Sequence, residues 1–185
     1  MQGKQTSDHG GTAAAPARAP NASVEHVLSQ SATPQQFCGA LAKLFGVRPT
    51  EVALMRLQKG LLSFLYPEEL KTAGSIPVSS SSAVAAHTAA TKKTELFNAF
   101  VKVKHASIFE SVKLIKSEDN DPTEQSTIQK LMSAPILDSQ RKVLGVIQVC
   151  RKGYDPANAG PDFTPDDLQQ LELAAKVVSN LPFIK

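Results

Sequence analysis

The sequence predicts an α/β domain of the α+β kind, with helices at both ends of the chain and antiparallel hairpins between them. Three observations carry this prediction. Capped amphipathic helical segments stand near the two ends, two pairs of strand-like runs are each joined by a short turn, and the stretch between the pairs has no regular period. At 185 residues the chain has room for one domain with a sizeable core plus a tail.

Residues 1–21 are rich in Gly, Ala, Pro and polar groups and have almost nothing to bury. They read as a disordered tail, and residues 22–185 as a single domain. Val24, Val27 and Leu28 then share one face of a short helix. The next helix is better marked. Thr33 is its N-cap, Pro34 its first residue, and Gln36 completes a capping box. Phe37, Leu41 and Leu44 fall on one face, Cys38 beside them is a small buried hydrophobe, and Gly46 supplies the stop. Glu51–Leu57 is apolar at nearly every position, which suits a central strand covered on both faces. Gln58-Lys59-Gly60 turns the chain, and Leu61–Tyr66 returns with Leu62, Phe64 and Tyr66 on one face until Pro67 ends it.

Residues 68–127 are the least regular. Ile76-Pro77-Val78 reads as a short edge segment, Ala83–Thr91 as a small-residue helix and Glu95–Phe100 as a strand. Val101–Glu110 is ambiguous, with Val101, His105, Ile108 and Val112 at helical spacing. Val112–Ile115 reads as a strand, and Lys116–Gln125 as a solvated acidic loop. The last third is regular again. Ile128–Leu137 and Val143–Arg151 form a hairpin around Asp138–Lys142. Thr164 caps the final helix, with Pro165 first and Asp167 three residues after the cap. Phe163 and Leu168 are spaced for a hydrophobic staple, and Leu168, Leu171, Ala175 and Val178 make the buried stripe.

The stretch MSAPILDSQRKVLGVIQVCRKG followed by DFTPDDLQQLELAA closely resembles the GAF family. The resembling features are Pro135-Ile136 at the end of a strand, the hairpin, Leu144–Ile147, and a Phe-Thr pair with acidic residues opening the last helix. The resemblance spans about residues 34–182, with its specific part in the last third. It implies an antiparallel sheet of five or six strands. Helices from both ends of the chain cover one face, and short helices and loops from the middle form a ligand pocket on the other. Cyclic-nucleotide-binding members carry Asn-Lys, a gap, Phe, three residues and Asp-Glu. Here these positions hold Arg151, Lys152, Phe163, Asp167 and Leu168, a partial match. Phe163, Thr164 and Asp167 also have a structural reading as staple and cap, and Lys152 is read with them as structural. An ion pair between Lys152 and Asp167 would lie near the surface and contribute roughly 0–1 kcal/mol.

No Gly-rich phosphate loop, Gly-x-Ser-x-Gly elbow or zinc-ligand cluster is present, and no residue is assigned a catalytic role. No metal and no cofactor are expected. His87 and His105 lack the Cys or carboxylate spacing of a metal site, and Asp119-Asn120-Asp121 lacks the Gly and late Glu of a calcium loop. The ligand-binding residues expected are His87, Asn98, Lys104, His105, Ser107, Phe109 and Glu110, on the irregular segment where functional loops belong. His105 would exchange hydrogen bonds and titrate near neutral pH, Phe109 would stack on a flat ring, and Lys104 would favour an anionic group. Lys92, Lys93, Lys102, Lys104, Lys113 and Lys116 face only Glu95 and Glu110, which suits either a solvated basic face or a mouth that attracts anions.

These features point to a regulatory sensor module that binds a small, anionic molecule and acts through a homodimer or a separate signalling protein. The chain carries no helix-turn-helix, kinase or cyclase segment of its own. Two alternatives stand: a thiol-dependent reductase of free methionine sulfoxide, which would need Cys38 or Cys150, and a degenerate domain that serves only to dimerise. The formal charge of +3 is too small to argue for nucleic acid. No apolar run approaches the ~20 residues of a membrane span. The start lacks the apolar centre of a signal peptide, and two isolated cysteines suit a reducing compartment, so the expected location is the cytoplasm. Deleting residues 1–21 should leave the melting temperature nearly unchanged, because the segment cannot offset its ordering entropy. A drop of many degrees would show that it packs.

Overall fold

The computed structural model describes residues 21–100 and 127–185. Through them the chain forms α1 (Asn21–Ser29), α2 (Pro34–Phe45), β1 (Val52–Gln58), β2 (Leu61–Tyr66) and β3 (Ser75–Pro77). It continues with α3 (Val84–Thr91), β4 (Glu95–Phe97), β5 (Thr127–Leu137), β6 (Val143–Gly153) and α4 (Pro165–Val178). The strands make one six-stranded antiparallel sheet in the order β3-β2-β1-β6-β5-β4. The sequence signals place most elements within a residue or two. Glu51 closes a short 3-10 turn instead of opening β1, and β4 stops at Phe97. The regions Val101–Glu110, Val112–Ile115 and Lys116–Gln125, read above as an ambiguous segment, a strand and a loop, lie outside the described residues, as do residues 1–20.

The central strands are mostly apolar because both their faces are covered. On one face Val52 and Leu54 of β1, Met132, Ala134 and Ile136 of β5, and Ile147 and Val149 of β6 meet α1, α2 and α4. On the other, Ala53 and Met55, Leu131, and Val146 and Cys150 meet α3, Leu70, Ile76 and Phe100. The period-2 alternation of the strands sorts these residues. Register shifts modify it. Between Leu54 and Met55 the partner steps from Tyr66 to Phe64, so Leu62 and Phe64 face α3 while Tyr66 packs on the helical side. The expectation of Leu62, Phe64 and Tyr66 on one face is thus corrected: the extra residue reverses the alternation. A second irregularity between Ile128 and Lys130 lets Ile128 and Leu131 share a face.

Helix termini are closed by the residues the sequence singled out, with one change. The Thr164 side chain accepts from the Asp167 N–H at 3.1 Å, and Asp167 accepts from the Thr164 N–H at 2.8 Å. At α2 the Thr33 hydroxyl accepts from the Gln36 N–H at 3.3 Å, but the Gln36 amide accepts from the Ala32 N–H rather than from Thr33. The longer Gln side chain reaches one residue beyond the capping box. In α1, Leu28 is buried and Val24 packs on the core, but Val27 is 55% exposed, outside the face predicted for it.

Glu51 and Arg151, at the end of the sheet where β1 begins and β6 ends, tie the helical layer to the strands. Glu51 is 5% exposed and accepts from the Arg48 N–H at 2.8 Å, the Arg48 guanidinium at 2.9 Å and the Lys152 N–H at 2.7 Å. Burial pushes its carboxyl up. The Arg48 side chain, the two backbone N–H groups and the Arg48 charge outweigh that and hold it below its ordinary 4.5. Arg151 donates to the Phe45 carbonyl at 2.9 Å and the Gly46 carbonyl at 3.3 Å. It thereby supplies a cation to the C-terminus of α2.

Two predictions follow from this packing. Leu171 is fully buried between α4 and the sheet, so Leu171→Ala should cost roughly 2–5 kcal/mol in urea unfolding. A cost of a few tenths would contradict that placement. Because the folded pKa of Glu51 is lowered, its contribution is complete above 4.5 and is lost as pH falls through the folded value. Glu51→Gln should lower stability by about 1–3 kcal/mol at neutral pH. The gap to wild type should narrow in acid, and parallel curves of stability against pH would refute this.

Candidate functional site

The sheet face under α3 differs chemically from the face under α1, α2 and α4. Helix α3 is built of small residues, so its backbone lies close to the strands, with Ala85, Ala86 and Ala89 buried. Thr88 is fully buried among them. Its hydroxyl lies 2.8 Å from the Ser133 hydroxyl on β5 and donates to Glu95 on β4 at 3.1 Å. Ser133 accepts from the Gln148 amide on β6 at 3.3 Å. His87, on the outer side of α3, holds the same Glu95 carboxylate through Nδ1 at 3.0 Å.

These contacts have a fixed sense. A carboxylate only accepts, so the single Thr88 proton goes to Glu95 and Ser133 must donate to Thr88. The donors therefore run from Gln148 through Ser133 and Thr88 to Glu95. The line starts at a 1% exposed amide and ends at a carboxylate shared with a His87 side chain that is 51% exposed. Polar groups inside an otherwise apolar layer persist when they are satisfied in this way.

Of the expected ligand-binding residues, His87 lies at the outer end of this line. Asn98 is engaged elsewhere. Its amide donates to the Phe163 carbonyl at 2.9 Å and accepts from the Phe163 N–H at 2.9 Å, tying the exit of β4 to the approach of α4. Both functional atoms of Asn98 are thus committed to backbone. Lys104, His105, Ser107, Phe109 and Glu110 lie outside the described residues. Phe100, just before them, is buried edge-on to Phe97 with ring centroids 6.1 Å apart.

The residues read as staple and cap have those places. Phe163 is buried in the helical-side core, where Leu168 packs, and the Arg151 guanidinium lies 4.7 Å from its ring centroid. Thr164 and Asp167 cap α4, and the backbone N–H of Lys152 is held by Glu51. Sequence reasoning missed Glu51, the capping role of Arg151, and the Thr88–Ser133–Gln148 line. It also missed Lys130, a 4% exposed lysine whose ammonium donates to the Gly160 carbonyl and pairs with Asp162 at 2.8 Å. A lysine inside the apolar run Ile128–Leu137 was the available signal for that pair.

Among the described residues, clefts open elsewhere. One of about 390 Å³ lies between Lys92, Arg141 at the β5–β6 turn, and Glu172 and Lys176 of α4. A larger one of about 720 Å³ lies at the end of the sheet by Arg48, Arg151, Lys152 and Tyr154. The two cysteines sit apart from both. Cys38 is fully buried in the helical-side core, where burial pushes its thiol far up, and Cys150 is fully buried on the opposite sheet face. No helix among the described residues is long and apolar enough to cross a membrane.

The fold is similar to solved GAF domains. That of a phosphoenolpyruvate-protein phosphotransferase from Acinetobacter aligns with a TM-score of 0.59 at 14% identity, covering 86% of this chain and 87% of that one. The corresponding domain (ptsP) from Coxiella burnetii gives 0.60 at 6% identity, covering 86% and 88%. The reduced form of fRMsr from Staphylococcus aureus gives 0.52 at 13%, covering 86% and 92%. No curated protein matches the sequence. The GAF domain family model matches residues 35–181, and with the six-stranded sheet and its helical cover the chain belongs to the GAF domain family.

Proposed function

We propose that this GAF domain is a regulatory sensor that takes up a small anionic molecule on the α3 side of its sheet, in the cytoplasm, and reports occupancy to a second copy or a separate signalling protein. The observation that carries the reading is the polar line from Gln148 to Glu95 and His87 under α3. Small-molecule sites are mostly apolar, with a few convergent polar groups that fix orientation. This face supplies that combination, whereas the face under α1, α2 and α4 is packed with aliphatic and aromatic side chains. Lys104, His105, Ser107, Phe109 and Glu110 complete the site in this reading. The fold similarity to GAF domains of phosphotransferase proteins and to part of a methyl-accepting chemotaxis protein supports a regulatory role.

The thiol-enzyme reading draws on the similarity to fRMsr. The burial of both thiols weighs against it, because a thiol is reactive as an exposed thiolate of lowered pKa. A dimerisation module without a ligand is the remaining reading.

A thermal-shift screen of nucleotides and metabolites on the whole chain tests the proposal. A hit should shift the melting temperature of wild type and of the Cys38→Ser, Cys150→Ser double variant alike. The shift should shrink in His105→Ala and in Lys104→Ala. A shift that survives both substitutions places the site elsewhere. Sulfoxide turnover that disappears in the double variant favours the enzyme, and the absence of any hit favours dimerisation.

A further inference from the structure

We propose that the smaller cleft, between α4 and the β5–β6 turn, binds a small organic dianion, with two acid groups, carboxylate or phosphate, on a short aliphatic frame. This goes beyond the sensor reading, whose ligand lies under α3. The cleft opens where β5 ends and shares no lining residue with the line from Gln148 to His87. Binding at either place can therefore fail alone.

Charge is the first argument. Lys92, Arg141 and Lys176 line the cleft, with Asp138 and Glu172 as the acidic residues beside them. Asp138 is committed to the turn: its Oδ1 accepts from the Gln140 N–H at 2.9 Å and from the Lys142 N–H at 2.8 Å. The Lys92 ammonium donates to the Arg141 carbonyl at 3.0 Å, a neutral group that leaves its charge uncompensated. The Arg141 guanidinium and the Lys176 ammonium make no side-chain hydrogen bond or ion pair among the described residues, and neither does the Glu172 carboxylate. Three cations thus stand around one uncommitted carboxylate, which favours an anion in the cleft.

The backbone is the second. Lys92 ends α3 at φ 57° and Arg141 sits in the β5–β6 turn at φ 61°, both in the left-handed region. An L side chain is strained there and Gly is not. The chain does use Gly for such positions elsewhere, at Gly46 closing α2 and Gly60 in the β1–β2 turn. Among the described residues three others have positive φ, and two of those three stand at this cleft. The hydrogen bond from Lys92 to Arg141 joins these two strained residues. Long basic side chains kept where Gly would relax the backbone fit a binding requirement rather than a folding one.

Size and lining are the third. Pro135, Leu137 and Ala175 supply apolar contact for a carbon frame, and Thr94 supplies a hydroxyl. A cleft of about 390 Å³ lies at the small end of the range for metabolite sites. Lys176 belongs to α4, whereas Lys92 and Arg141 belong to α3 and the strand turn. The cations therefore come from separate walls, and two acid groups on one frame can each meet a charged donor.

The test titrates malate and phosphoglycolate into the isotope-labelled whole chain and follows its backbone amides by NMR. At least one should bind with a Kd at or below about 1 mM, and more weakly as salt is raised. The amides of Thr94, Leu137, Arg141 and Ala175 should move, and the tighter of the two probes identifies the preferred acid group. Arg141→Gly should weaken binding by about fivefold while melting no lower than wild type, because Gly relaxes the φ of 61° and keeps the carbonyl that Lys92 uses. Lys176→Gln should weaken binding as well. Glu172→Gln should tighten it, since that removes the opposing charge. The proposal is overturned if neither dianion binds, or if Arg141→Gly and Lys176→Gln both bind as wild type does. Movement of the Ala85, Ala86 and Thr88 amides instead would overturn it by placing the ligand under α3. Glycerol or putrescine moving the same amides equally would overturn it too, as would inorganic phosphate binding as tightly as either dianion, which would leave only nonspecific charge.

Discussion

The approach of β1 to β6 at Gly145 is the constraint on which the rest of the structure depends. A Cβ at Gly145 would lie 2.1 Å from the Met55 carbonyl oxygen, so no other residue fits without moving a backbone. With Arg56 opposite Gly145, Met55 falls opposite Val146 and Val52 opposite Val149. A slip of one residue would exchange the two faces of β6, placing Ile147 and Val149 under α3 and Val146 and Cys150 under the terminal helices. The same register brings Lys152 to Glu51 and Arg151 to the end of α2, so the strand pairing and the helical cover are set together.

The two faces of the sheet divide the work. On the helical side the packing is aliphatic and aromatic, closed by Phe37, Phe45 and Phe163 and anchored at its end by Arg151. Such a layer supplies stability and leaves little to recognise. On the α3 side a helix of small residues leaves Thr88, Ser133 and Gln148 buried but joined to one another, with the polar line emerging at Glu95 and His87. Buried polar atoms are tolerated there because each has a partner, and removing one would strand the next.

The cationic end of the sheet follows from a different economy. Arg151 fills the gap between α2, β6 and Phe163, stacking on one and donating to the carbonyls that a helix end leaves unpaired. Glu51 neutralises Arg48 and replaces a strand neighbour for Lys152. Both residues are polar groups used as fastenings where strands stop, and both line one cleft at that end of the sheet.

The sequence by itself determined the elements whose cause is local. Thr164, Pro165 and Asp167 specify a helix start within four residues, Gly46 a helix stop, and Lys59-Gly60 a tight turn at positive φ. The apolar run of β5 and the Asp138–Lys142 turn declare a hairpin without help from the rest of the chain. Only the tertiary structure decided the roles that depend on residues far apart in sequence. Asn98 clamps Phe163, Glu51 holds Lys152, Thr88 meets Ser133, and the bulge opposite Leu54 and Met55 turns Tyr66 to the helical side. No local pattern encodes these, because a polar side chain takes its partner from whatever the sheet register and helix packing bring within hydrogen-bond reach, and that is settled only when the whole core closes.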